Sequence, residues 1–568
     1  MKYSKMQYGR PDINKVGSEM NKLISDFKNA KSFVEADEIM YKINSVRNEF
    51  DSMKVIAFIN YSNDTNNQDF IAEQDYFDNN SPLFNDFVFE YFKALVSSAF
   101  RNELESKYGK HLFEIAEINI KSFSNDLIED MQKENHLGSE YMKLKASAKI
   151  NFEGKELNLQ ELEPYTESTD REIRIKAYRA YWKFFSDNSN EFDEIYDKLV
   201  YLRNDMSQKM NYKNYKELGY ARMKRMDYNE EMVADFRKNI KKYIVPLAVK
   251  LRDKQAKRIG EDKLMFYDIY IQFKSGNATP KGSPEWIMDK GKLMYDELSP
   301  ETKEFYDFMT ENDLMNVFSR KGKADMGYCE YIAKYKSPYI FSNMNGTEDD
   351  ITVLTHEAGH AFQAYASKHF HFKEYSEPTM ETAEIHSMSM EYLTYPWMNL
   401  FFEKDTDKFK FSHLNSRVNF LPYGVLVDEF QHWVYENPSV SPAERKARWR
   451  ELEKDYMPHL NYDELEFLET GGRWQKQGHI YESPFYYIDY CLAQICAFQF
   501  WSRAIHNGNG GFDKALKDYL ELCSKGGSKP FLELVKEAGL ESPFEENVIK
   551  KLSKEIEDYI DSINDSLF

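Results

Sequence analysis

The sequence predicts a mainly α-helical fold, and three observations carry that reading. Long segments repeat apolar residues every three to four positions, strand-like alternation is confined to two short stretches, and no glycine run has the strand-to-helix context of a nucleotide-binding fold. The composition agrees: 42% hydrophobic, 15% aromatic and 30% charged residues describe a folded chain. Its 568 residues are enough for more than one subdomain around a single cleft.

Taken in chain order, the opening "MKYSKMQYGRPDINKVGSEM" lacks the apolar core a secretory signal needs, and no run of about 18 apolar residues follows, so a soluble, cytoplasmic protein with no membrane partner is expected. Residues 1–164 read as a helical region with a strand hairpin near 141–159, where "YMKLKASAKINFEGKELNL" alternates around a Glu153-Gly154 turn. A domain change is expected at "LEPYTESTD", with a helical unit over 165–568. That unit opens on a long helical pattern from 168 to 210, with Ser168 as N-cap, Arg171 and Glu172 in the first turn, and Ile173, Ala177, Ala180, Tyr181 and Phe184 on one face. "FKSGNATPKGSPEW" (273–286) reads as an exposed loop, and "SPYIFSNM" (337–344), between Pro338 and the Asn345-Gly346 turn, as a short edge strand. Asn345-Gly346-Thr347 matches a glycosylation acceptor in form but reads as a turn. Two glycine-rich stretches, 506–511 and 524–530, separate the final helices.

Charge and cysteine usage exclude further classes. A net charge of −20 with no basic cluster argues against nucleic acid and anionic lipid. The four cysteines (Cys329, Cys491, Cys496, Cys523) form no Cys-x-x-Cys pair and read as reduced core residues. The sequence specifies no oligomeric state.

The chemistry concentrates in "ITVLTHEAGHAFQAYASKHF", residues 351–370. On a helix His356 and His360 lie one turn apart on one face, so both imidazoles can reach one metal ion, with Glu357 beside its water. A chance His-Glu-x-x-His match in a chain this long is expected in roughly one or two per cent of cases. A catalytic zinc site needs a third protein ligand and an open position. A second helix, with Pro378 in its first turn, presents Glu381, Glu384 and Glu391 on one face; an antiparallel return brings Glu384, 24 residues after His360, level with the histidines, leaving its neighbours to orient ligands. The metzincin extension is absent, because Gln363 and Ala366 stand where its glycine and histidine would be. His386, two residues from Glu384, points elsewhere and reads as packing or substrate-lining, and Met388 and Met390 as core.

Four blocks in order, "GYCEYIAKYKSPYIFSNMNGTEDDITVLTHEAGHAFQAY", "PTMETAEIHSMSMEYLTYPWM", "LPYGVLVDEFQHWVYENP" and "GHIYESPFYYIDYCLAQICAFQFW", resemble the thimet-oligopeptidase family of zinc peptidases in its oligoendopeptidase F branch, over roughly residues 165–545. The resemblance implies one Zn²⁺ held by His356, His360 and Glu384, with Glu357 as general base. It also implies a zincin-type catalytic domain with a small sheet next to the active-site helix and two helical halves around a deep substrate channel. A developing oxyanion needs donors, and the resemblance implies His479 with tyrosines of "GHIYESPFYYIDY" in that role. The spacing differs from better-known thimet-type members, which leaves Tyr486, Tyr487 and Tyr490 as alternatives. The implied reaction is hydrolysis of internal bonds in short unfolded oligopeptides, with the strand Tyr339–Met344 pairing with the substrate backbone. A carboxypeptidase-like enzyme and a scaffold with structural zinc are the rival readings.

Overall fold

The computed structural model describes residues 1–324, 326–506 and 510–563. Helices dominate, and their starts are chemically marked. Ser32 accepts from Glu35 N, Asn158 forms a capping box with Glu161, and Ser441 does the same with Glu444 ahead of a proline at the first helical position. Each cap satisfies backbone donors that the first helical turn leaves without partners.

The helical pattern predicted from 168 to 210 forms two helices, Arg171–Asp187 and Ser189–Lys209, separated at Asn188. Asp170 is the N-cap rather than Ser168: its carboxylate accepts from Glu172 N, while the Ser168 hydroxyl accepts from Asp170 N and shapes the turn before the helix. The hairpin is shorter than predicted. Only β1 (Ile150–Phe152) and β2 (Lys155–Leu157) pair, across a turn in which Glu153 and Gly154 both take positive φ. Residues 141–146 belong instead to the helix Ile128–Ala146, where Glu134, Leu137 and Tyr141 are buried at helical spacing and Tyr141 stacks on Tyr481.

A three-stranded sheet lies beside the His-Glu-x-x-His helix. β5 (Ser337–Met344) is its middle strand, parallel to β3 (Met315–Phe318) and antiparallel to β4 (Tyr328–Ile332). This corrects the edge-strand expectation: β3 pairs with β5 only from Ile340 onward, so Pro338, opposite Tyr331 of β4, lies where β5 has no second neighbour, and β3 and β4 are the edge strands. The turn after β5 forms as expected, with Thr347 donating to the Asn345 side chain and Gly346 at φ 89°.

The hydrophobic core crosses residue 164, joining Phe50, Phe77 and Phe84 to Trp474, Phe485 and Leu492. A second cluster, around Met20, Tyr91 and Phe113, reaches out to Phe372 and Tyr375. Early helices also hold that later segment by polar contacts: Arg47 pairs with buried Glu374, Asn44 donates to His371 O, and Tyr375 OH donates to Tyr108 O. Among the described residues no helix is long and apolar enough to cross a membrane. Cys491, Cys496 and Cys523 are buried and free, as expected, whereas free Cys329 is half-buried on β4. The predicted breaks between the last helices fall after His506 and Lys525, with residues 507–509 outside the described set.

Candidate active site

The His-Glu-x-x-His helix runs Asp349–Ala366, and the glutamate helix runs Met380–Leu393. Pro378 precedes the latter's N-cap, Thr379, and so lies just outside the first turn. The two helices pack at backbone contact. A Cβ on Gly359 would lie 2.6 Å from His386 O and from Ser387 Cα, so only glycine permits this approach. The approach sets Glu384 against both histidines: its Oε2 is 3.3 Å from His356 Nε2 and 3.5 Å from His360 Nε2. One donor atom from each residue falls within 4.8 Å of the others.

Two arms of this cluster, His356 and Glu384, are braced from behind. His356 Nδ1 lies 2.7 Å from Glu391 Oε1, and Glu391 Oε2 is held by His413 at 2.7 Å and by Arg417, both on the helix Thr406–Glu436. Tyr395 OH completes the line on His413 Nδ1. Glu384 receives Tyr486 OH on Oε1 and Ser387 Oγ on Oε2. Burial alone would lower the His356 imidazole, but its hydrogen bonds to Glu384 and Glu391 raise it to about 10. Burial opposes ionisation of Glu384 too, yet the two histidines hold its carboxyl well below the usual range. Two imidazoles and one carboxylate, converging, with His356 and Glu384 braced, form the donor set of a three-ligand zinc site. Glu381, also expected to brace a ligand, does not. It makes no hydrogen bond to the cluster, and burial with the Asp489 charge raises it to about 8.

Glu357 lies one residue from the cluster, 7% exposed, with Oε2 lacking any partner among the described residues. Burial raises its pKa, a shift that His356 and His360 oppose. A carboxylate in this setting is a stronger base than an exposed one.

Across a cleft of about 590 Å³ stand His479, Tyr486 and Tyr490. Tyr423 OH donates to Gln477 Oε1 at 2.9 Å, which turns the Gln477 amide nitrogen to His479 Nδ1 at 2.8 Å. The His479 proton therefore sits on Nε2, 3.2 Å from Tyr490 OH, and the Tyr490 proton stays free to donate. Burial lowers His479 to about 4 and raises Tyr490 well above 10, so both are neutral near pH 7. Tyr487 is not brought to the cleft; it packs against Phe420 and Tyr423. His386 is fully buried beneath Gly359 and lines nothing.

The cleft's other walls are Asp51, Lys54 and Phe58 of the helix Phe33–Asn63 and the free edge of β4 from Gly327 to Tyr331. Sequence reasoning missed this edge, and it also missed His413, Arg417 and Gln477. His413 and Arg417 stand at i and i+4 on one helix, a spacing that was there to be found, whereas Gln477 carries only its place two residues before His479.

Helices enclosing a His-Glu-x-x-His helix, a braced glutamate and a small sheet define the class, a helical metallopeptidase. A model of peptidase family M3 matches residues 164–288 and 297–554, and a model of the peptidase M3 N-terminal domain matches residues 3–123. The chain belongs to peptidase family M3, in its oligoendopeptidase F branch. It is 23% identical over 417 residues to an oligoendopeptidase F homolog of Lactococcus lactis subsp. lactis (strain IL1403), covering 69% of this chain and 65% of that one. To the group B oligopeptidase PepB of Streptococcus agalactiae serotype III (strain NEM316) it is 22% identical, covering 66% and 61%. The match thus spans just under two thirds of these curated relatives. Among solved structures, PZ peptidase A with inhibitor 2 superposes at TM-score 0.97 with 52% identity over 99% of this chain and 100% of that one. A protein described as an oligoendopeptidase F from Bacillus anthracis str. Ames superposes at 0.94 with 48% identity over 100% and 99%.

Proposed function

We propose that this chain is a zinc-dependent oligoendopeptidase that cleaves internal bonds of short unfolded peptides. The observation that carries the reading is the convergence of His356, His360 and Glu384 beside an unpartnered, buried Glu357 carboxylate in an open cleft. His356, His360 and Glu384 would hold the zinc. When bound, it supplies Lewis acidity that brings the pKa of water towards about 7 and polarises the scissile carbonyl.

The remaining work falls to the chain. Glu391, fixed by His413 and Arg417, keeps the His356 ring turned so that Nε2 faces the cluster. Glu357 takes the proton of the attacking water on its free oxygen and returns it to the leaving amine. Tyr490, its oxygen already receiving the His479 proton, donates its own to the developing oxyanion. Tyr486, committed to Glu384, positions that carboxylate. The substrate backbone pairs with the free edge of β4, since both edges of β5 are taken, and such pairing accepts many side chains. The proposed location is the cytoplasm, and the proposed division places an N-terminal region at 1–164 and the catalytic domain at 165–568.

The test is cleavage of internally quenched peptides of several lengths, some blocked at both ends, with products identified by mass. Internal cleavage of doubly blocked peptides is expected. Release of residues only from free carboxyl ends would establish the exopeptidase alternative, and intact peptides with zinc-loaded protein would establish the scaffold.

A further inference from the structure

The cleft does not end at the metal cluster. A second chamber of about 420 Å³ adjoins it, and the two share Asp51, Lys373, Glu377, Pro378 and Met380 as walls. Their charges are opposite in sense. The metal-side cleft is lined by five carboxylates and two lysines, whereas the adjoining chamber is lined by five lysines and arginines against three carboxylates. In a chain of net charge −20, a basic chamber off an acidic cleft needs an explanation.

Four of its five cations are already committed. Arg47 pairs with Glu374, Lys373 with Asp51, Arg222 with Glu134, and Lys529 with Glu533 and Glu537. Lys224 is the exception: it lines the chamber, and its side chain makes no hydrogen bond or ion pair with any described residue, Glu377 and Glu374 acting on it through charge alone. Lys224 is exposed as a residue, while desolvation of its charge by the surrounding walls lowers its pKa, a shift that Glu377 and Glu374 oppose. Its backbone is also costly. Lys224 closes the helix Tyr215–Arg222 with φ 56°, its N–H on Ala221 O and the Arg225 N–H on Tyr220 O, a position where glycine is the residue without strain. The next residue anchors the turn, because Arg225 is buried on Asp489 and Phe485 O at the start of the helix that carries Tyr490.

We propose that Lys224 binds the carboxyl-terminal carboxylate of the bound peptide, so that the chamber fixes both the direction in which a substrate lies and the distance from its end to the cut bond. The lysine offers a cation without an ion-pair partner to one anion, and the walls shared by the two cavities let one extended chain reach both. The inference rests on the peptidase reading, which it supplies with a substrate feature: peptides with free carboxyl ends and a limited length beyond the scissile bond.

Binding without turnover provides the test. An amino-terminally labelled oligopeptide, as free acid and as carboxyl-terminal amide, is titrated by fluorescence anisotropy against zinc-loaded Glu357→Gln protein. The amide is expected to bind about tenfold or more weakly, the scale of one charge-assisted contact. Adding Lys224→Met should bring the acid down to the amide's affinity, and Lys224→Arg should restore much of the difference. Equal affinities for acid and amide before Lys224 is touched, a comparison that needs no Lys224 variant, would overturn the proposal. So would a preference that survives Lys224→Met. An amide peptide ending in glutamate that binds as tightly as the free acid would overturn the assignment to the terminus. The doubly blocked substrates of the preceding test read the peptidase itself, so failure there with the acid preference intact counts against hydrolysis and not against Lys224.

Discussion

The two walls of the cleft hold their functional groups by opposite means. On the metal side His356 leans on Glu391, which leans in turn on His413 and Arg417, so the brace is built of charge. On the far side Tyr423, Gln477, His479 and Tyr490 form a line of neutral hydrogen bonds. The difference follows from what each wall must do. Ligands for a cation must be fixed in direction, which a buried carboxylate brace enforces, whereas a donor to a transient oxyanion must keep its proton until negative charge appears. A charged group in the second line would bind the ground state as well and gain less in the transition state.

The comparison can be broken most severely at Glu357, which belongs to neither line. Glu357→Gln keeps the shape and removes the base, so kcat should fall by about two to four orders of magnitude with zinc content unchanged. Near-normal kcat in a zinc-replete preparation would take proton transfer away from this residue. Next comes the neutral wall. Tyr490→Phe should lower kcat about a hundredfold with little change in KM or zinc, while Tyr487→Phe should leave kcat as it is. If Tyr486→Phe shows the kcat loss and Tyr490→Phe does not, the donor assignment is reversed.

The charged wall sharpens the contrast in another observable. Glu391→Gln should weaken zinc binding roughly ten- to a hundredfold in chelator competition, and Glu381→Gln should not, since only Glu391 touches a candidate ligand. The smallest effect is on stability against pH. Burial depresses His479 from its ordinary 6.5 to about 4, so its neutral form contributes stability that is complete above pH 6.5 and is lost as pH falls towards 4. In zinc-free protein, His479→Asn should flatten the Tm profile between those limits. An unchanged slope would mean that the ring is not held neutral in the fold.

Much of this protein was decided by local geometry, and that part was legible from the sequence. The four-residue spacing of His356 and His360, and the seven-residue spacing of Glu384 and Glu391, place side chains on single helix faces whatever surrounds them, because 3.6 residues per turn is a property of the backbone. The Glu153-Gly154 turn is local in the same sense. What only the tertiary structure decided involves partners far apart in the chain: Glu391 rather than Glu381 behind His356, β5 in the middle of its sheet, Tyr490 rather than Tyr487 facing the cleft, and Lys224 left alone in the adjoining chamber. No spacing rule reaches across those separations. Which face of a helix becomes the inside, and which edge of a sheet stays open, depends on how remote segments bury one another, and that is settled by packing of the whole core.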